Sequence, residues 1–164
     1  MMRKILPVLV LILCAVATAA QAGRAAPDFT ATDIAGHEQS LAAYRGKIVV
    51  LEWNNPEGPF VKKHYGKGYM QALQKAARAH GVIWIAINSS ARRKQGHMTP
   101  VQAEAALKER GSVVDGYILD PEGRIGRLYG ATTTPHMFVI DRDGNLAYSG
   151  AIDNKPTVDP ADMK

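Results

Sequence analysis

Residues 47–61 read KIVVLEWNNPEGPFV, an apolar run followed by a short polar turn. The run at residues 47–53 has the composition of a buried β-strand. Pro59 suits the first turn of a helix, because its missing N–H would be unpaired there in any case. A strand, a turn and a helix in this order direct free backbone N–H groups and the positive end of a helix dipole at one point. The stretch therefore predicts a place where a thiolate, phosphate or carboxylate would be stabilised.

Strand and helix signals alternate along the rest of the chain. Further strands are predicted at residues 82–88, 117–120, 136–141 and 146–149, and an N-terminal hairpin at residues 29–34 and 37–40. Helices are predicted at residues 59–80, with a break at Gly66 and Gly68, at residues 100–110 behind a Thr99–Gln102 cap, and at residues 122–129. The helix positions expected to be buried are Phe60, Met70, Leu73, Ala76 or Ala77, Ile125 and Leu128. Asp143-Gly144 predicts a closing hairpin, and the whole pattern predicts a three-layer α/β sandwich.

The N-terminal 22 residues have the composition of a secretory signal. Arg3 and Lys4 precede an apolar centre at residues 5–17, and Ala20-Gln21-Ala22 fits the small-x-small cleavage rule. The apolar centre is shorter than the roughly 18 residues expected of a spanning helix. We therefore expect cleavage after Ala22 and export to the periplasm or the medium.

This interpretation divides the chain into a signal peptide at residues 1–22, a domain at residues 23–154 and a polar tail at residues 155–164. An uncleaved membrane anchor and a lipoprotein acylated at Cys14 are the alternatives. Cys14 is the chain's single cysteine. Once the signal is removed, the protein would hold neither a disulfide nor a thiolate nucleophile.

Composition excludes several classes of function. The chain is 46% hydrophobic and 21% charged, as globular domains are, so a disordered protein is excluded. Its formal charge of +5 includes Arg3 and Lys4 of the signal, and the one basic cluster, Arg92-Arg93-Lys94, lies in a predicted loop. A nucleic-acid partner would need basic residues gathered on one face, so we expect none. After signal cleavage we also expect no membrane association.

Residues 52–65, EWNNPEGPFVKKHY, resemble the active-site segment of exported redoxins of the peroxiredoxin-like kind, the alkyl hydroperoxide reductase/thiol-specific antioxidant family. In those proteins a cysteine stands immediately before Pro-Phe-Val, sometimes with a partner three residues earlier. Gly58 and Asn55 hold those positions here. The resemblance extends over residues 26–154 and implies a thioredoxin-like α/β/α sandwich with a mixed central sheet and an N-terminal β-hairpin. Related chains usually continue into a further C-terminal helix, and we expect that helix to be missing after residue 154.

The resemblance also implies where the site lies. Its positions in this sequence are Asn55, Pro56, Glu57, Gly58 and Pro59 of the turn, and Thr134 and Pro135 of a loop expected to contain a cis-proline. Peroxide reduction needs a thiolate that attacks the O–O bond, and disulfide exchange needs a thiolate that attacks sulfur. Glycine supplies neither, so we expect no intact thiol chemistry and no cofactor.

Three interpretations of function remain open. The favoured one is an exported redoxin without its cysteine that binds a peptide or small anion at the former active site. The second is a thiol-dependent peroxidase or oxidoreductase, as in cysteine-bearing relatives. The third is a truncated, non-functional fragment whose uncovered sheet face would favour homo-oligomers.

Five further positions, polar or aromatic, were also interpreted from the sequence. Glu52 is either a buried carboxylate that shuttles protons or, as we expect, a rim residue whose carboxylate reaches water. His64 and His136 flank the two site segments and could bind a metal together with Glu57. No short ligand spacing supports that set, so we expect no metal. Trp53 and Trp84 are predicted to be core aromatics.

Overall fold

The computed structural model describes residues 22–162. The predicted signal, its cleavage and the alternatives involving Cys14 rest on residues 1–21 and lie outside the described part. Residues 163 and 164 lie outside it as well.

A five-stranded mixed sheet forms the centre of the domain, and a small hairpin precedes it. The hairpin pairs β1 (Thr30–Thr32) with β2 (Glu38–Ser40). The sheet consists of β3 (Val49–Trp53), β4 (Ile83–Asn88), β5 (Gly116–Leu119), β6 (His136–Ile140) and β7 (Leu146–Gly150). Their order across the sheet is β5-β4-β3-β6-β7. β3 pairs in parallel with β4, β4 pairs in parallel with β5, and β6 runs antiparallel to β3 and β7.

Among residues 22–162, four α-helices cover the two faces of the sheet. They are α1 (Pro59–Gly66), α2 (Tyr69–Ala79), α3 (Pro100–Arg110) and α4 (Arg124–Tyr129). Because successive strand residues point to opposite faces, Val50 meets α1 and α2 whereas Leu51 packs on the face of α4. The α3 helix covers β4 and β5 on the side of α1 and α2. The predicted three-layer sandwich with its N-terminal hairpin is confirmed.

The predicted break between the first two helices is also confirmed, and its cause is local. Gly68 has a φ of 76° in the left-handed region, which suits glycine, and α2 begins directly after it. The two short helices can therefore follow the twisted sheet at different angles.

Two helix positions expected to be buried are exposed. Leu73 is 45% exposed and Leu128 37% exposed. In α2 the sheet-facing positions are Met70 and Gln74, which are four residues apart and share a face. Leu73 lies one position away from that face, so an apolar side chain points outward and a polar one lies in the core.

After β7 the chain continues without a further α-helix in the part that the structure describes, ending in a 3₁₀ turn at Pro160–Asp162. This segment returns to α1, where the Lys63 ammonium donates to Asp153 Oδ2 at 3.0 Å and to the Thr157 carbonyl at 2.9 Å. Between residues 22 and 162 no helix is both long and apolar enough to cross a membrane.

Candidate functional site

The turn between β3 and α1 is closed by its own hydrogen bonds. The Asn55 Oδ1 accepts from the Glu57 N–H at 2.9 Å, and the Gly58 N–H donates to the Asn55 carbonyl at 2.9 Å. Gly58 is the N-cap of α1, with an ordinary φ of −65°, and no side chain caps the helix. The turn thus places the backbone of Gly58 at the start of α1.

Two neighbouring segments hold this turn in place. Glu57 Oε2 accepts from the Gly96 N–H at 3.0 Å, and the Arg110 guanidinium donates to the Pro56 carbonyl at 2.6 Å. Gly96 has a φ of 80°, and a Cβ there would collide with the Asn55 side chain. Only glycine fits this position, because the left-handed backbone and the close approach both exclude a side chain.

The loop before β6 lies against the turn. The Thr134–Pro135 peptide bond is cis, as the family resemblance implied. A Cβ built on Gly58 would lie 3.2 Å from Thr134 Oγ1 and 3.1 Å from the Asn55 carbonyl oxygen. The structure therefore brings Asn55, Gly58 and Thr134 together. Pro59 occupies the first position of α1, as its missing N–H favours.

A polar pocket of about 230 Å³ opens on one side of this loop. Its walls come from the ends of β3 and β4 and from the loop before β6, and its polar members are Asn54, Asn55, Asn88, Ser89, Ser90 and Thr132–Thr134. We call it the polar pocket. Sequence reasoning missed Asn88, Ser89 and Ser90 as members of the site, although their place directly after a predicted parallel strand could have pointed to them.

An apolar pocket of about 380 Å³ opens on the other side of the loop. Residues of α1, the cis-proline loop and the segment after β7 form it, among them Phe60, His64, Pro135, Ile152, Asp153 and Pro156. We call it the apolar pocket. Thr133 and Thr134 line both pockets.

Glu52 is fully buried, so the expectation of a rim residue reaching water was wrong. β3 is the central strand of the sheet, and Glu52 points from it beneath α1 and α2, where no solvent reaches. Its carboxylate accepts hydrogen bonds from Asn54 Nδ2 (2.6 Å), Tyr65 Oη (2.9 Å), Trp84 Nε1 (2.8 Å) and Gln74 Nε2 (3.3 Å). Burial raises the pKa of Glu52, and these donors oppose the rise.

The two histidines flanking the site do not form a metal centre with Glu57. His64 Nε2 lies 3.5 Å from Asp153 Oδ2, while His136 stacks on Phe138 and approaches the Ser149 hydroxyl. The Glu57 carboxylate is turned toward Gly96. Among residues 22–162 no three His, Cys, Asp or Glu side chains are grouped as metal ligands.

An ion pair that sequence reasoning missed ties α1 to the segment after β7. The Lys63 side chain is fully buried and pairs with Asp153, which is 25% exposed. Although partial burial raises the pKa of Asp153, the hydrogen bond from Lys63 brings that pKa below its ordinary value. The two residues are 90 positions apart, and nothing in their local sequences pairs them.

Comparison with solved structures places this domain in the thioredoxin-like class that its sheet and cis-proline loop define. The chain belongs to the redoxin family, whose model matches residues 21–164. The crystal structure of an uncharacterized conserved protein from Geobacillus kaustophilus has a TM-score of 0.74 at 25% identity, over 82% of this chain and 71% of that one. The structure of a hypothetical protein from Sinorhizobium meliloti 1021 has a TM-score of 0.73 at 25% identity, over 89% and 81%.

A curated relative with a named activity is the thiol-disulfide oxidoreductase ResA of Geobacillus kaustophilus (strain HTA426). It is 29% identical over 130 residues, which cover 79% of this chain and 68% of that protein. The predicted redoxin family and thioredoxin-like fold are thus confirmed, with relatives among thiol-disulfide oxidoreductases. The part of this chain that matches the family, residues 21–164, contains no cysteine.

Proposed function

We propose that this protein is an exported redoxin whose former active site binds an extended polypeptide segment without exchanging thiols. The observation that carries this proposal is the combination of a complete site geometry with Asn55 and Gly58 at the cysteine positions. Both thiol reactions of the family begin with a thiolate, which neither side chain can supply. The site retains two pockets, which adjoin the turn and the cis-proline loop.

Free backbone groups support a polypeptide as the ligand. Within residues 22–162 neither the N–H nor the C=O of Thr134 makes a hydrogen bond. An extended peptide can pair with such groups as an added strand, gaining affinity from its main chain and specificity from side-chain pockets. The polar and apolar pockets adjoin Thr134 on its two sides.

A small anion fits the turn less well than a peptide does. An anion at the start of α1 would need free N–H groups. Pro59 has none, and the N–H groups of Glu57 and Gly58 already donate to Asn55. The turn therefore uses two of the N–H groups near the start of α1, and only those of Phe60 and Val61 in its first turn remain for an anion.

A thiol-dependent oxidoreductase is the second candidate, and the name of the ResA relative favours it. In this chain the reaction would require a thiol from Cys14 or from a partner protein. Cys14 lies in the signal-like segment, which supports the proposal of export and argues against a catalytic role.

The deciding experiment compares the purified full-length chain with Cys14→Ala and Gly58→Cys variants. Peroxide consumption and reduction of a protein disulfide are measured with a dithiol reductant, and binding of a capped extended hexapeptide is followed by NMR. We expect no thiol activity in the wild-type protein or in Cys14→Ala. In both proteins the peptide should shift the NMR signals of Thr133 and Thr134. Thiol activity that disappears in Cys14→Ala would establish the second candidate instead. Activity gained by Gly58→Cys would show that the scaffold lacks only its nucleophile.

A further inference from the structure

The two pockets lie on opposite sides of the loop that enters β6. In the sheet, β6 stands between β3 and β7. The polar pocket is walled by residues that follow β3 and β4, and the apolar pocket by residues that follow β7. Thr133 and Thr134 separate the two pockets and line both of them. A chain bound across these threonines would therefore meet a different surface on each side.

The polar pocket is built from uncharged hydrogen-bonding groups. None of the residues lining it is charged. The Asn54 side chain, only 4% exposed, is turned to the buried Glu52 and Tyr65. The hydroxyls of Ser90, Thr132 and Thr133 make no hydrogen bond within residues 22–162 and are available in this pocket. A charged group entering this pocket would lose water and find no opposite charge, whereas an amide or hydroxyl would find partners.

The apolar pocket has two charged residues in its lining, Asp153 and the exposed Lys155. Asp153 is already paired with the buried Lys63, so an incoming cation meets two ammonium groups and an incoming anion meets the Asp153 carboxylate beside Lys155. Burial lowers the pKa of His64, which favours its neutral imidazole. The pocket has apolar walls at Phe60, Pro135 and Ile152. An apolar side chain that binds against them displaces water, which lowers the free energy of binding.

We propose that the bound polypeptide places a large apolar side chain in the apolar pocket and the neighbouring Asn, Gln, Ser or Thr side chain in the polar pocket. This inference rests on the proposed peptide-binding function and names the sequence class that the site selects. Neighbouring side chains of an extended chain point in opposite directions, which matches two pockets on opposite sides of Thr133 and Thr134.

Host–guest peptides test the pattern in the wild-type full-length protein. The host is capped Gly-Ala-Leu-Asn-Ala-Gly, made also with the central pair reversed. The guests replace Asn by Lys or Glu, or Leu by Ala, and dissociation constants come from NMR titration. We expect the Leu-Asn pair, in one of its two orders, to bind about three- to tenfold more tightly than each of the three guests. Replacing Asn should change the signals of Ser89 and Ser90, and replacing Leu should change those of Ile152.

A change of specificity gives a second test. Ser90→Asp places a carboxylate in the polar pocket and leaves the Ser90 N–H free to donate to Asn88 Oδ1 as it does now. The Lys guest should then bind about two- to fivefold more tightly and the Glu guest more weakly. Ala79→Asp, which adds the same charge at the exposed end of α2, should leave the ranking unchanged.

The outcomes separate the two proposals. Equal binding of all guests to the wild-type protein would overturn the two-pocket inference while leaving peptide binding intact. A Ser90→Asp variant that folds but keeps the wild-type ranking would overturn it as well. If no peptide of the series binds, the proposed function itself is wrong. If Ser90→Asp does not fold, the test rests on the wild-type protein alone. The two-pocket inference then stands or falls on whether replacing Asn changes the signals of Ser89 and Ser90 and replacing Leu changes those of Ile152.

Discussion

At the scale of single residues, Glu52 is a carboxylic acid with no exposed surface. A carboxyl group without solvent contact is costly unless its oxygens are hydrogen-bonded, and four side chains donate to it here. These donors come from the site turn, α1, α2 and β4. Glu52 therefore joins the turn to three elements of the fold through one buried group.

The raised pKa of Glu52 predicts how stability depends on pH. Because the folded protein holds the proton to a higher pH than the unfolded chain does, the stabilisation is complete below the ordinary carboxyl pKa, near 4.5, and declines as pH rises toward the folded value. The slope for one group is at most about 1.4 kcal/mol per pH unit. Urea unfolding measured from pH 4.5 upward should show this decline in the wild-type protein and not in Glu52→Gln.

Glu104→Gln is the matched control for that experiment, because Glu104 is an exposed carboxylate on α3 outside the site turn. It should keep the slope of the wild-type protein. Parallel pH curves for the wild-type protein and Glu52→Gln would show that Glu52 does not titrate differently in the folded and unfolded states.

At the scale of elements, α3 shows how a local signal in the sequence supports the site. The Gln102 N–H donates to Thr99 Oγ1 at 3.3 Å, and the Thr99 N–H donates to Gln102 Oε1 at 2.8 Å, so both halves of the capping box are formed. At the other end of α3, Arg110 holds the Pro56 carbonyl of the turn. The cap and the site contact thus lie at opposite ends of one helix.

Replacing the cap should weaken this element measurably. We expect Thr99→Ala to lower the free energy of unfolding by about 1 kcal/mol, because one helix N–H loses its acceptor. Thr99→Ser, which keeps the hydroxyl, should lose much less. Denaturant unfolding of the three proteins checks the order, and equal losses in both variants would show that the hydroxyl is not the cause.

Local signals also explain how much could be predicted from the sequence. The cap of α3 and the break at Gly68 each depend on a few neighbouring residues, and each was placed correctly. The cis bond of the Thr134–Pro135 loop was implied by the family resemblance and is also present. The buried faces of α2 and α4 depend on how each helix is rotated against the sheet. That rotation is set by packing between distant segments, so Leu73 and Leu128 were misassigned.

At the scale of the whole molecule, the contact between Lys63 and Asp153 closes the domain by tying its last described segment to α1. Neither the burial of Glu52 nor this ion pair could be predicted from the sequence, and the reason is the same for both. Glu52 is buried because β3 came to lie at the centre of the sheet, and Lys63 finds Asp153 across 90 positions. Both facts exist only once the whole topology has formed.

The ion pair predicts an unequal response to losing either partner. Asp153→Asn leaves the fully buried Lys63 ammonium without its counterion and should cost about 3 kcal/mol or more. Lys63→Met leaves Asp153 partly exposed to water and should cost less. Denaturant unfolding gives the two losses, and the double variant should be more stable than Asp153→Asn alone. Equal losses from the two single variants would contradict this account.

The chain's two tryptophans lie on opposite faces of the sheet, Trp53 on the face of α4 and Trp84 on the face of α1 and α2. The Trp53 indole donates to the Ser89 hydroxyl at 3.1 Å, beside the polar pocket, whereas the Trp84 indole donates to Glu52. Indole emission responds to charges and hydrogen bonds near the ring. The intrinsic fluorescence of the protein therefore has two contributions. The Trp53 emission should respond to a ligand that enters beside Ser89, and the Trp84 emission to the protonation of Glu52.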